Sequence, residues 1–181
     1  MKILICSDIH GDAESLSALL KRFEEEKADK LLILGDVLYH GPRNDLPSGY
    51  APKKVIAMLS EIKEKIISVR GNCDTEVDQM VLPFPILSDY SYVVTDGLTM
   101  LATHGHKYTP DAPPPLAKGT ILLGGHTHIP GFADITDDSV YVNPGSISLP
   151  KENNPKTYAI YENRRITIKE LDGKPFMERS F

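Results

Sequence analysis

The sequence predicts an α/β protein in which two mixed β-sheets pack together and helices flank them. Three observations lead to this class. Up to Asn72, short apolar runs alternate with amphipathic helical stretches, the pattern of a parallel α/β layer. Beyond Tyr90 the chain changes to closely spaced strand runs separated by turn residues. No repeat and no long linker divides the 181 residues, so one domain spanning 1–181 is expected.

Ile3-Leu4-Ile5 are consecutive apolar residues without helical spacing and predict a buried strand over 2–7. Asp12 is an N-cap candidate. After it, Leu16, Leu19, Leu20 and Phe23 recur at helical spacing and predict an amphipathic helix over 13–26. Leu31–Leu34 is a second buried strand, ended by Gly35-Asp36. Gly41, Pro42, Pro47 and Gly49 make 38–51 an unusually long loop, of a length associated with lids and binding loops. Pro52 opens a second helix with Val55, Ile56, Leu59 and Ile62 as its inward stripe. Ile66–Val69 is a third strand, ended by Gly71-Asn72. Tyr90–Thr95 and Leu98–Thr103 form a hairpin around Asp96-Gly97. Strands are also expected at 120–123, 131–136, 139–143, 157–162 and 165–171. In this second half only the proline-rich stretch 110–118 leaves room for a short helix.

The 20 Lys+Arg against 25 Asp+Glu give a formal net charge of −5. That argues against long nucleic acid or an anionic membrane as partner, since both need clustered positive charge. No apolar stretch approaches the roughly 20 residues needed to span a bilayer. Two cysteines cannot build a disulfide framework. With no signal peptide in the first residues, a soluble cytoplasmic protein is expected.

Chemistry-bearing residues gather just after the expected strands. They are Asp8-x-His10, Gly35-Asp36, Gly71-Asn72, His104-Gly105-His106 and Gly124-Gly125-His126-Thr127-His128. Sites in α/β sheets form outside the carboxyl ends of strands, where loops bring distant residues together. One Asp after a strand is ordinarily a cap, and one His-x-His ordinarily no ligand. Five such endings in succession point to a metal centre. The mixed imidazole, carboxylate and amide set, without thiolate, suits Mn, Fe, Co, Ni or Zn better than Ca.

This order of motifs resembles the calcineurin-like metallophosphoesterase superfamily. Gly71-Asn72-Cys73-Asp74, Thr103-His104-Gly105-His106 and Asn143-Pro144-Gly145-Ser146 make the chain similar to its small YfcE-like phosphodiesterase branch, from residue 3 to about 149. The resemblance implies a four-layer fold and a site with two divalent ions, Mn²⁺ favoured. Asp8, His10, Asp36 and His128 would hold the first ion. Asp36, Asn72, His104 and His126 would hold the second, with Asp36 bridging. It implies hydrolysis of a small phosphodiester by a metal-bridging hydroxide, which two ions make available at neutral pH. Two divalent ions would bring the loaded chain to about −1, with the added charge in one cleft.

In one respect the chain departs from the superfamily. Many of its phosphatases carry His directly after the Gly-Asn pair, to protonate the leaving oxygen. Cys73 stands there, and a thiol of pKa about 8.5 is a poorer match to that task. This fits a diesterase better than a broad monoesterase. Asp74 is expected to orient a ligand histidine. His106 is read as a substrate or proton-transfer group, with a structural hydrogen bond as the alternative. His40 and Arg43, on the long loop, are placed as phosphate contacts beside Cys73. Two rivals remain: a phosphomonoesterase, and a scaffold that keeps this fold for protein binding, as a vacuolar-sorting relative does. A homo-oligomer is left open, with Tyr90, Tyr92 and Pro83–Pro85 as packing or subunit contacts.

Overall fold

The computed structural model describes residues 1–181. Its elements run β1 (Ile3–Cys6), α1 (Ala13–Glu25), β2 (Lys30–Ile33), α2 (Pro52–Glu61), a 3₁₀ turn (Lys63–Lys65), β3 (Ile66–Ser68) and α3 (Glu76–Val81). β4 (Ser91–Thr95), β5 (Leu98–Ala102), β6 (Thr120–Leu123), β7 (Gly131–Asp134), β8 (Val140–Asn143), β9 (Thr157–Glu162), β10 (Arg165–Glu170) and β11 (Pro175–Ser180) follow. One sheet has the order β11-β10-β9-β1-β2-β3 and the other β4-β5-β6-β8-β7. In the first, β1, β2 and β3 are parallel. In the second, β5, β6 and β8 are parallel.

Period-2 alternation explains the continuous apolar runs. Leu4 and Cys6 of β1 face the helices, packing with Leu16, Leu19, Phe23, Val55 and Leu59. Ile3 and Ile5 face the other sheet, packing with Met100, Ile121, Leu123, Val140 and Val142. A strand buried on both faces has no polar positions, so it reads as an unbroken apolar run.

α1 begins where expected: the Asp12 carboxylate accepts hydrogen bonds from Glu14 N (3.1 Å) and Ser15 N (3.0 Å). Lys156 lies 3.2 Å from that carboxylate and ties the start of α1 to the segment entering β9. α2 carries Pro52 in its first turn, a position that needs no N–H donor, and buries Val55 and Leu59.

The helices cover one face of the sandwich. The outer face of the second sheet carries Leu101, Leu122 and Tyr141, side by side on β5, β6 and β8, and Leu116 packs on them. The room for a short helix at 110–118 is not used. Pro113, Pro114 and Pro115 have no N–H to give a helix, and the stretch crosses the sheet as irregular chain. Two elements go beyond expectation. α3 has six residues, and the Asp78 carboxylate accepts from Thr75 N (2.7 Å) and Thr75 Oγ1 (2.8 Å) at its start. β11 pairs antiparallel with β10 at the sheet edge, with a register shift at Ile168/Lys169. No helix is long and apolar enough to cross a membrane.

Glu26, at the end of α1, ties the helix to the sheet through Lys169 and Lys2. Burial pushes its carboxyl up, but the two ammonium groups outweigh burial and hold it below its ordinary 4.5. A depressed folded-state pKa contributes stability above the unfolded value that is lost as pH falls through the folded one. Glu26→Gln should therefore lower unfolding free energy by about 1 kcal/mol at pH 7. In urea titrations the gap to the parent should close as pH drops below 4.5. A gap independent of pH would contradict this account.

Candidate metal centre

The parallel strands of both sheets deliver their carboxyl-end loops to one place. Asp8 and His10 follow β1, Asp36 follows β2, and Asn72 follows β3. From the other sheet, His104 follows β5, and His126 and His128 follow β6. The loops meet backbone to backbone. A Cβ on Gly71 would lie 2.0 Å from Asp36 Oδ1, so only glycine lets these two loops touch. The turns are strained: Asp8, His10, Asp36, His126 and His128 have φ of 56°, 48°, 56°, 65° and 62°. Left-handed backbone costs a residue with a Cβ about 1–2 kcal/mol. Its concentration at these residues marks a site where geometry is held against local preference.

Asp8, His10, Asp36, His104 and His128 are all buried. His10 Nε2 lies 3.4 Å from Asp8 Oδ1 and 3.8 Å from Asp36 Oδ2. His128 Nε2 is 3.2 Å from Asp8 Oδ1 and 3.3 Å from His10 Nε2. His104 Nε2 is 3.4 Å from Asp36 Oδ2, 4.0 Å from Asp8 Oδ1 and 3.0 Å from Asn72 Oδ1. Asp36 thus reaches histidines on both sides.

The other ring nitrogens explain why these Nε2 atoms point inward. His10 Nδ1 donates to the Tyr39 carbonyl (2.7 Å), His104 Nδ1 to Leu34 (2.7 Å) and His128 Nδ1 to Leu149 (2.5 Å). A carbonyl can only accept, so the proton is on Nδ1 and, in the neutral ring, Nε2 presents a lone pair. Asp8 Oδ2 accepts from Ser7 Oγ (2.7 Å) and His126 N (2.9 Å). Asp8 Oδ1 is buried without a hydrogen-bond partner. An orphaned carboxylate oxygen facing inward lone pairs is the arrangement a cation completes. The donor set fits divalent ions: Asp8–His10–His128, Asp8–Asp36–His104 and His10–Asp36–Cys73 each bring their ligand atoms within 4.8 Å.

Electrostatics point the same way. Burial pushes the Asp8 carboxyl up, but contacts with His10 and His128 and the charge of His104 hold it well below the usual range. Burial also raises Asp36, and His104 outweighs it. Burial would lower the His104 imidazole, yet the two carboxylates push it up to about 9. The paired acids demand positive charge, which protons supply until metal ions displace them.

The remaining expected residues divide. The His126 ring lies 5.2 Å from the His104 ring, centre to centre, outside the tight triads, and lines the cleft above them. Arg43 and Cys73 also line it. His106 is not among the residues lining the cleft; its ring packs 5.3 Å from His104 and 6.1 Å from His126, with a buried Nδ1 lacking a partner. His40 does not reach the cleft, because its ring is held edge-on between Tyr39 and Tyr50. Asp74 contacts no histidine. Its carboxylate accepts from Asp36 N (2.8 Å), Val37 N (2.9 Å) and Gly71 N (2.8 Å), so it pins two ligand loops by their backbones. The Asn143–Ser146 turn lies beneath the site, where Ser146 Oγ donates to the Asp8 carbonyl (2.9 Å). Sequence reasoning missed Asn44 and Lys151, which line the cleft from loops without a motif, and the Ser7 hydroxyl on Asp8.

A family model described as the calcineurin-like phosphoesterase superfamily domain matches residues 1–165. Phosphodiesterase YfcE of Escherichia coli (strain K12) is 44% identical over 174 residues, 96% of this chain and 94% of the relative. The probable metallophosphoesterase YsnB of Bacillus subtilis (strain 168) is 28% identical over 188 residues, 95% of this chain and 91% of its own. Among solved structures, the E. coli YfcE phosphoesterase superposes with a TM-score of 0.95 at 42% identity, covering 99% of both chains. Vacuolar protein sorting 29 of Cryptosporidium parvum shares the fold, with a TM-score of 0.65 at 18% identity over 99% of this chain and 98% of that one. The expected pair of mixed sheets and the converging strand ends are both present, and the chain belongs to the calcineurin-like phosphoesterase superfamily.

Proposed function

We propose that this chain is a metal-dependent phosphodiesterase that hydrolyses a small phosphodiester at a centre of two divalent ions. The observation that carries the reading is the unpartnered Asp8 Oδ1, faced by Nε2 atoms whose rings are locked by backbone carbonyls. Asp8, His10, Asp36 and His128 would hold one ion, and Asp36, Asn72, His104 and His126 the other. Mn²⁺ is the first choice, ahead of Fe, Co, Ni and Zn. Bound there, the ions would supply Lewis acidity toward phosphorus and a water activated as nucleophile.

The protein's own groups do the rest. Arg43 and Lys151 line the cleft and give a phosphodiester anion cationic contacts at its rim. Between the lining residues lies a cavity of about 40 Å³, suited to ions and phosphoryl oxygens and too small for a whole diester. Burial pushes the Cys73 thiol up, and Asp36 adds to it, so the group stays neutral and gives a proton poorly. The departing alcohol must then leave as a stable anion or take its proton elsewhere, with His106, packed against His104 and His126, the imidazole outside the proposed ligand set that we assign to that task. Asp74 is a positioning residue, setting Asp36 and Asn72 against each other. The apolar cluster between the sheets supports residues 1–181 as one catalytic domain. We place the enzyme in the cytoplasm, consistent with two buried free thiols.

Chelation should abolish turnover of bis(4-nitrophenyl) phosphate, and Mn²⁺ should restore it with about two ions per chain by elemental analysis. Asp36→Asn should cost about 100-fold or more in kcat. Activity that survives both treatments sinks the reading. Faster monoester turnover would instead favour a monoesterase. Less than one ion per chain without turnover would favour the scaffold.

Asp74→Asn keeps the shape but places an amide among three N–H donors. Metal affinity should fall by about 10–100-fold while far-UV circular dichroism is unchanged. A lower Tm at unaltered metal affinity would assign Asp74 a purely structural part.

A further inference from the structure

Cys73 has two sides. On one it lines the polar cleft with His10, Asp36, Asn72 and His128. On the other it lines a separate cavity of about 320 Å³, together with Leu38, Tyr39, Tyr50, Pro52 and Val77. It is the one residue common to both. The cavity is within the size range of small-molecule sites, roughly 300–1,000 Å³. Its wall is mostly aliphatic and aromatic, completed by Thr75 and Asp78, and three members are open to solvent: Thr75, Tyr39 at 42% and Val77 at 68% exposure.

We propose that this cavity binds an uncharged apolar or aromatic ester arm of the substrate, whose phosphoryl group sits in the adjoining cleft. The inference rests on the phosphoester reading of the cleft. A phosphodiester carries two arms, and a cleft of about 40 Å³ accommodates neither. The arms lie outside the cleft, in solvent or across its wall, and Cys73 is the member that wall shares with the cavity.

Charge decides the class of arm. The polar cleft has Arg43 and Lys151, whereas no cation lines the cavity. Its one charged group is Asp78, whose carboxylate is occupied by the backbone and hydroxyl of Thr75. A second phosphate or a carboxylate would find no partner there and would be repelled. An aryl or alkyl group would bury apolar surface against Tyr39, Tyr50 and Val77. The proposal gives Cys73 a part that needs no proton transfer, as a small side chain between the two spaces. Another apolar groove, floored by Phe132, Pro110 and Pro130, shares no residue with the cleft.

Phosphonates test this without hydrolysis, because the P–C bond stays intact. Mn²⁺-loaded protein is titrated calorimetrically with phenylphosphonate and with methylphosphonate. Phenylphosphonate should bind about tenfold tighter. Val77→Asn, on the exposed face of α3, and Tyr50→Ser should each remove most of that preference and leave methylphosphonate affinity unchanged. Equal binding of the two by the parent overturns the proposal. So does a preference that survives both substitutions, or no binding of either compound. A phenyl preference in a protein that turns over no diester would fault the esterase reading and keep the subsite.

Discussion

Two carboxylates buried almost completely, Asp8 and Asp36, form the constraint on which the architecture depends. Ionised acids so placed repel each other and lose their hydration, a cost of several kcal/mol per ion unless positive charge is near. The chain answers from two sheets at once. β1 and β2 bring the acids and His10, and β5 and β6 bring His104, His126 and His128. Neither sheet alone assembles the charge balance. The apolar cluster between the sheets therefore has a second duty, because it fixes the distance between the acids of one layer and most of the imidazoles of the other. The left-handed backbone at five candidate ligands is tolerated for the same reason: the packed layers beneath leave these turns no other course.

Much of this was legible in the sequence, for definite reasons. Leu16, Leu19 and Phe23 announce α1 because a helix with one buried side must repeat apolar residues at its own period. Ile3–Ile5 and Leu31–Leu34 announce buried strands because both faces are covered. The candidate ligands stand out because each sits beside a strand end, most of them next to a glycine. α3 was not legible, since Val77, Met80 and Val81 stay exposed and no inward stripe exists to be counted. β11 was lost similarly, as an edge strand held by backbone pairing with β10 and alternating little in burial.

The site itself was harder to read wherever backbone atoms act. The carbonyls of Leu34, Tyr39 and Leu149 orient three histidines, and a carbonyl leaves no letter in a sequence. Asp74 was expected on a histidine and instead holds amide groups of two loops, which side-chain patterns do not encode. His40 was expected at the cleft because its loop lies there. The direction of its ring is set by Tyr39 and Tyr50, a contact visible only once the loop is folded. Lys151 reaches the rim from a turn far along the chain, with nothing nearby in sequence to mark it.

The position of β1 has a consequence for biosynthesis. It pairs with β2 on one side and, with Ile3 opposite Tyr161, with β9 on the other. On a ribosome the first strand emerges long before its second neighbour. At about 5–20 residues per second, the delay is on the order of ten seconds. For most of that interval Asp8 and His10 are present without His128, and throughout it one edge of β1 is open. Until residue 128 is made, the set of candidate ligands is incomplete. The candidate ligands are thus all made by residue 128, whereas the open edge of β1 is closed only when β9 follows.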